Sequence, residues 1–192
     1  MESKNSAFKE YISPILVLVV ICFAVTFLLA FTYGITAPIT AANTAKAASE
    51  ARMELLPDAD NFSEAGVEPF VLEEGKVYVV DTYTADNGAG MVVTVKSNSY
   101  GGLLTAMVGI DKDGAITGVK VTDHGDTPGV GTKAQDAGHL SQYGGLSELG
   151  SDNIKAHADS VVEVTGASVS SGAIHKAVYC ALEQYKAMGG VK

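Results

Sequence analysis

Basic residues are scarce: 13 Lys and Arg stand against 22 Asp and Glu, a net charge of −9. They are scattered along the chain, whereas binding to a phosphate backbone needs a basic patch, so no nucleic-acid partner is expected. Cysteine is scarcer still. Cys22 lies in an apolar run and Cys180 on the apolar side of a helical pattern, which predicts neither a disulfide between them nor a cysteine-based metal site. The histidines, His124, His139, His157 and His175, lack the two- or four-residue pairing of metal ligands, so no metal is expected. No sequence-visible base is paired with any hydroxyl, so no catalytic residue is assigned.

Charge is missing altogether from Tyr11 to Ala45, and Pro14 to Tyr33 is almost wholly Ile, Leu, Val, Phe and Ala. About 20 such residues span a bilayer core, and a cleaved signal peptide would have an apolar region of only about 7–15. We therefore expect residues 12–33 to be an uncleaved transmembrane helix in contact with membrane lipid. Residues 1–11 would be a cytoplasmic N-terminus, since Lys4 and Lys9 precede the span. The remainder would then lie on the extracytoplasmic side of the cell inner or plasma membrane. The Ala-rich stretch up to Leu56 prolongs the helix as a stalk that ends at Pro57-Asp58, giving a stalk and linker over 34–60 and a domain over 61–192.

Within that domain, residues 61–75 read as an exposed loop with at most one short element. Lys76–Tyr83, Met91–Ser97, Leu103–Ile110 and Ala115–Thr122 are β-rich runs separated by short Gly- and Asp-bearing turns, the pattern of an antiparallel meander. Asp111-Lys112-Asp113-Gly114 is read as a hairpin turn, because the ligand array of a calcium loop is missing. Residues 134–149 predict a short helix and a loop. From Ser171 onward, Ile174, Ala177, Val178, Ala181, Leu182, Tyr185 and Met188 recur at helical spacing, and Ser160–Val164 ahead of them reads as a short strand. The fold class expected is α+β, an antiparallel sheet with flanking helices preceded by one N-terminal transmembrane helix.

Between that strand and helix stands Thr165-Gly166-Ala167-Ser168-Val169-Ser170-Ser171. A small-residue turn into a helix offers free amides and the positive end of a dipole, which favour a phosphate there. A plain helix cap from Ser170 or Ser171 would use the same residues. The glycines of Asp123–Lys133, which contains Thr127-Pro128-Gly129-Val130-Gly131, would let backbone amides approach a ligand closely.

Thr165-Gly166-Ala167-Ser168 resembles the Ser/Thr-Gly-Ala-Thr/Ser signature of FMN-binding subunits: the G subunit of Rnf electron-transport complexes and the related C subunit of sodium-pumping NADH:quinone reductases. Asp126-Thr127-Pro128-Gly129-Val130-Gly131 resembles that family's Glu-Thr-Pro-Gly-Leu-Gly segment. Tyr100-Gly101-Gly102, Val108-Gly109-Ile110-Asp111 and the single N-terminal span follow in the same order. The chain departs from the family in having Val162 where an Asp is common, and Ser168 where the acceptor is usually Thr.

The resemblance implies a membrane-anchored electron-relay subunit of an ion-translocating ferredoxin:NAD oxidoreductase, with no independent catalysis. FMN would be bound covalently through a phosphoester to Ser168. Thr165, Gly166, Ala167, Ser170 and Ser171 would surround the phosphate, and Thr127, Gly129 and Gly131 would enclose the flavin. A separate flavin transferase would attach it, and the other partners would be membrane subunits of the complex. With no tryptophan available, Tyr100 and Tyr143 are the aromatic candidates for stacking on the ring. His124, beside the Gly-rich loop, is the histidine best placed to touch a ligand. The alternatives are a non-redox module that binds a phosphate-bearing ligand, and the FMN subunit of a sodium-pumping quinone reductase.

Overall fold

The computed structural model describes residues 12–157 and 160–190, which form two compact units divided between Ala47 and Ala48. His157 and Ser160 border the undescribed pair. In the first unit the chain is helical from Ser13. Helix α1 continues to Leu55 and contains Pro38. Its N-terminal part has a mean hydropathy of 3.0 over 18 residues, long and apolar enough to cross a membrane. The large side chains of that part, such as Phe23, Phe27 and Leu28, are exposed, and in a bilayer they would face lipid.

The second unit is built on one antiparallel sheet of six strands: β1 (Phe62–Glu64), β2 (Val71–Glu73), β3 (Val77–Ala85), β4 (Gly90–Ser99), β5 (Gly102–Asp111) and β6 (Ile116–Asp123). The order is β1-β3-β4-β5-β6, with β2 also paired to β3. The four long strands form the meander read from the sequence. Two short strands occupy the segment expected to hold at most one. Glu64 and Glu73 made 61–75 look like a solvated loop, yet β1 and β2 are edge pieces a few residues long in which acidic side chains keep contact with water. Asp111 Oδ1 accepts from the amides of Asp113 and Ala115 at 2.8 and 2.9 Å, closing the hairpin as an Asx turn.

One sheet face carries Val77, Val79, Val93, Val95, Leu104, Ala106 and Val108, all buried. It is covered by the last helix, which buries Ala173, Ile174, Ala177, Val178, Ala181 and Leu182 against it. The end of α1 covers the other face, where Ala51, Leu55 and Leu56 pack with Ala85, Val92 and Met107. Arg52 stacks 3.6 Å above the Tyr83 ring. Lys120 is paired with Glu54, and Thr117 donates its hydroxyl hydrogen to the Leu55 carbonyl. Between β6 and the last helix run a 3-10 helix (Gly131–Gln135), the short helix α2 (Ala137–Leu140) and two further 3-10 turns (Ser141–Tyr143, Ile154–His157).

The last helix, α3, spans Ser168–Met188 and stops at Gly189 in the left-handed conformation. Two expectations need correction here. The helix begins at Ser168 rather than Ser171, because the Ser171 amide already bonds back to the Ala167 carbonyl at 2.8 Å and so closes a helical turn over residues 168–170. Residues 160–164 are not a strand: Val161 is buried, but Val162 is exposed and its amide donates to the Gln142 side chain rather than to a sheet neighbour.

Candidate functional site

The turn ahead of α3 is closed by a bond of 2.9 Å from the Ala167 amide to the Val164 carbonyl, with Gly166 at φ +83. That places Gly166 where a type II turn needs a positive φ, a conformation glycine adopts without strain. Ala167 precedes the helix and is buried; Thr165, Gly166 and Ser168 are exposed. The first intrahelical bond runs from the Ser171 amide to the Ala167 carbonyl, 2.8 Å. The amides of Ser168, Val169 and Ser170 therefore precede the helical ladder and point off the helix end.

The seryl hydroxyls of the motif are not alike. Ser171 is fully buried, and its hydroxyl oxygen accepts from the Val164 amide at 3.1 Å, which binds the turn to the helix. Its amide and hydroxyl are thus both committed within the protein. Ser170 is also buried, and its hydroxyl finds no hydrogen-bond partner. Among the described residues, only Ser168 and Thr165 of the motif turn a hydroxyl-bearing side chain to solvent.

Behind Ser170 the three sequence segments meet at Asp126. This aspartate is 4% exposed. Its carboxylate accepts from the Ser99 hydroxyl at 2.8 Å and from the Gly101 amide at 2.9 Å. Burial pushes the carboxyl up, but the Gly101 amide and the Ser99 and Ser170 hydroxyls outweigh it and, with nearby His124, hold it below the usual aspartate value. The Ser170 hydroxyl faces the carboxylate without reaching hydrogen-bond geometry.

The close approaches explain two glycines. A Cβ on Gly131 would lie 2.8 Å from Asp126 Cβ and 3.0 Å from Ser170 Oγ, and one on Gly101 would strike the Gly125 carbonyl. The Thr127–Gly131 loop is held by bonds from the Val130 and Gly131 amides to the Thr127 carbonyl. Its Thr127 and Gly129 are exposed, whereas Gly131 is buried against Ser170. The loop thus abuts the start of α3 through Gly131 and Ser170. Asp126 as the hub and Ser99 as its partner were missed; the only signal was Asp126 standing where the resembled segment has Glu.

Along its exposed edge α3 shows Ser168, Gly172 and Lys176. Lys176 Nζ lies 2.5 Å from Glu73 and 3.8 Å from Asp152. The hydrogen bond and charge of Lys176, with help from Lys76, hold the Glu73 carboxyl below its usual range. Hollows of about 400 and 340 Å³ lie on either side of this edge.

Of the two aromatic candidates, Tyr143 is excluded. It is fully buried between His139 and His175, and burial pushes its phenol above the usual range. Tyr100 is 78% exposed. His175 is buried with Nε2 3.1 Å from the Ser151 carbonyl oxygen, so it faces away from solvent. Cys180 is free and buried, its thiol pushed up to about 12 by burial.

Residues 99–183, from Ser99 of the hub through most of α3, match the FMN-binding domain family. Three relatives extend the likeness over most of the chain. The G subunit of the proton-translocating ferredoxin:NAD(+) oxidoreductase complex of Clostridium ljungdahlii is 28% identical, over 72% of this chain and 71% of its own. Its counterpart in the Na(+)-translocating ferredoxin:NAD(+) oxidoreductase complex of Acetobacterium woodii is 28% identical, over 71% and 72%. The G subunit of the ion-translocating oxidoreductase complex of Methanosarcina acetivorans is 30% identical, over 73% and 76%. With one relative 30% identical over 73% of this chain and 76% of its own length, the chain belongs to the family of G subunits of ion-translocating oxidoreductase complexes.

Proposed function

We propose that this protein is the membrane-anchored flavoprotein subunit of an ion-translocating ferredoxin:NAD oxidoreductase, with FMN joined to Ser168 by a phosphoester. The observation that carries the reading is the geometry at the start of α3. Ser168 is exposed at the first helical position, and the amides of Ser168, Val169 and Ser170 precede the helical ladder there. The residues fit a phosphate: the amides of Ser168, Val169 and Ser170 supply donors and the helix dipole favours the anion. Thr165 and Gly166 form the exposed tip of the turn beside it, and Ala167 anchors that tip in the core. Ser171 holds the turn in place from within. Gly131 of the adjoining loop abuts Ser170 behind the turn, and Thr127 and Gly129 on the exposed part of that loop would close toward the flavin when it is bound.

When bound, FMN supplies one- and two-electron redox chemistry. The chain's own work is to hold the phosphate, fix the turn and leave a face open for electron exchange with other subunits. Among the described residues the Ser168 hydroxyl has no hydrogen-bond partner that could act as its base, which supports attachment by a separate flavin transferase. Intact-mass measurement of the chain made together with a flavin transferase tests the reading. A mass increase equal to one esterified FMN, with a yellow flavin spectrum, is expected; an unmodified mass under those conditions would overturn it.

The N-terminus lies in the cytoplasm and the FMN domain on the opposite side of the membrane, in keeping with the Lys4 and Lys9 bias. A cysteine at exposed Glu74 reports this. In intact cells Glu74→Cys should react with a membrane-impermeant maleimide. Reaction only after the membrane is breached would put the domain inside.

A further inference from the structure

We propose that the β1/β2 edge of the sheet is a docking surface for another protein subunit of the complex, one that meets it with lysine or arginine side chains around an apolar centre. The inference rests on the reading that the chain works as one subunit of such a complex, and none of the residues involved belongs to the flavin-binding segments named above. Between Pro57 and Gly75 the sequence holds Asp58, Asp60, Glu64, Glu68, Glu73 and Glu74 and no basic residue. Strand β3, against which this segment folds, adds Asp81, and the turn after it adds Asp86, again without a Lys or Arg. Lys76 and Lys176 are both drawn to Glu73. Among the described residues no cation pairs with Asp58, Asp60, Glu64, Glu68, Asp81 or Asp86. Arg52, on the sheet face beside β3, is stacked on the Tyr83 ring.

Carboxylates alone would do no more than keep an edge strand soluble. This edge also exposes large apolar side chains: Val67, Val71 and Val80 are 36%, 49% and 43% exposed. Val80 stands out because the β3/β4 register shifts between Val79 and Asp81, a bulge that turns a side chain out of its place in the pleat. Two hollows join the three valines to the carboxylates. One of about 110 Å³ has Val67, Val80, Glu64 and Asp81 in its walls, and one of about 490 Å³ has Val67, Val71, Glu68 and Met188. Apolar side chains ringed by charge of one sign make the anatomy of a protein interface, with a centre that excludes water and a rim that steers approach. The charge selects the occupant. A second copy meeting this edge with its own would bring the same carboxylates, and an anionic lipid surface would be repelled as well. A basic protein surface is attracted from about a Debye length away and supplies cations to carboxylates left without one.

The test uses the full-length chain in membranes of the cell that makes it together with the other subunits of the complex. A photo-reactive benzophenone side chain in place of Val71 or of Val80 should, on illumination, form an adduct with another subunit, and the cross-linked peptide should carry Lys or Arg. The same group in place of exposed Thr122, on β6 at the opposite edge of the sheet, should give no such adduct. Glu64→Lys with Glu68→Lys should lower the adduct yield roughly tenfold, and Glu64→Gln with Glu68→Gln should lower it less. Asp123→Lys with Glu148→Lys, which reverses two exposed charges elsewhere, should leave the yield unchanged. Raising the salt toward ~1 M should act like the charge reversal. Intact mass on the same preparations reports the flavin, which every variant should retain. With flavin present, the docking surface alone is overturned by no adduct at either valine, by an adduct only to a second copy, by equal adducts from Thr122, or by a yield indifferent to Glu64→Lys with Glu68→Lys. A parent chain without flavin mass would overturn the flavoprotein reading instead, while the adducts still decide the surface.

Discussion

Ser168→Ala protein made alongside a flavin transferase carries no covalent FMN, and its melting temperature stays within a degree or two of the parent. The loss is expected to be complete because Ser168 is the exposed hydroxyl at the first helical position, and the neighbouring seryl oxygens cannot substitute for it. Ser170 is 1% exposed and faces Asp126, while the Ser171 hydroxyl accepts from the Val164 amide inside the protein. Stability should hardly change, since Ala is a better helix former than Ser and an exposed site makes no packing contribution. Thr165 is the remaining solvent-facing hydroxyl, but it sits on the turn rather than against the free amides. Peptide mass spectrometry decides the matter. An FMN mass retained on the Thr165–Ser171 peptide of Ser168→Ala would move the acceptor to another hydroxyl. Flavin retained without covalent attachment would separate the binding surface from the tether. Ser168→Thr restores the acceptor usual in the resembled signature and should be flavinylated at least as fully as the parent.

How far the sequence could be read depended on whether a feature was local. The meander was legible because β-branched runs alternate with turns such as Asp111–Gly114, whose side chains make the turn by themselves. The apolar face of α3 was legible from spacing, and so was the continuation of α1 beyond the apolar run. The short strands β1 and β2 were not, because a three-residue edge strand leaves no periodicity to detect and borrows its structure from β3. Ser160–Val164 misled for the opposite reason. Val161, Val162 and Val164 have strand propensity, but the segment's hydrogen bonds go to Gln142 and Ser171, so tertiary partners overrode it. At the site, Ser168 and the turn were legible as a motif. The inward aim of Ser170, the burial of Tyr143 and the convergence of Ser99 and Gly101 on Asp126 depend on contacts between residues 25 or more positions apart, which no local pattern records.

Asp126→Ala is the substitution expected to disturb the site most through the fold itself. Asp126 is the one carboxylate on which β4, the turn after it and the Thr127–Gly131 loop converge, and it lies against the first turn of α3. Hydrogen bonds to a charged group contribute about 1.5–3 kcal/mol each, so losing the Ser99 and Gly101 bonds should cost on the order of 3–5 kcal/mol, with the Ser99 hydroxyl and Gly101 amide left without their acceptor. In a domain of this size that lowers the melting temperature by roughly 10 °C or more. Asp126→Asn keeps the shape and one acceptor oxygen but not the charge, and should fall between the two. Because the Asp126 carboxyl is held below its usual value in the folded protein, the stability it contributes is present above the unfolded value of about 4 and is lost as the pH falls through the lower folded value. Denaturant titrations between about pH 7 and pH 3 should therefore show the parent losing stability over its last unit or two more steeply than Asp126→Asn, which has no carboxyl to titrate there. The loop that Asp126 holds against Ser170 also bounds the phosphate end of the proposed site, so flavin occupancy should drop in Asp126→Ala even at temperatures where the domain remains folded. Parallel pH profiles for parent and Asp126→Asn, or full flavin occupancy in folded Asp126→Ala, would show that the three segments are held together by something other than this carboxylate.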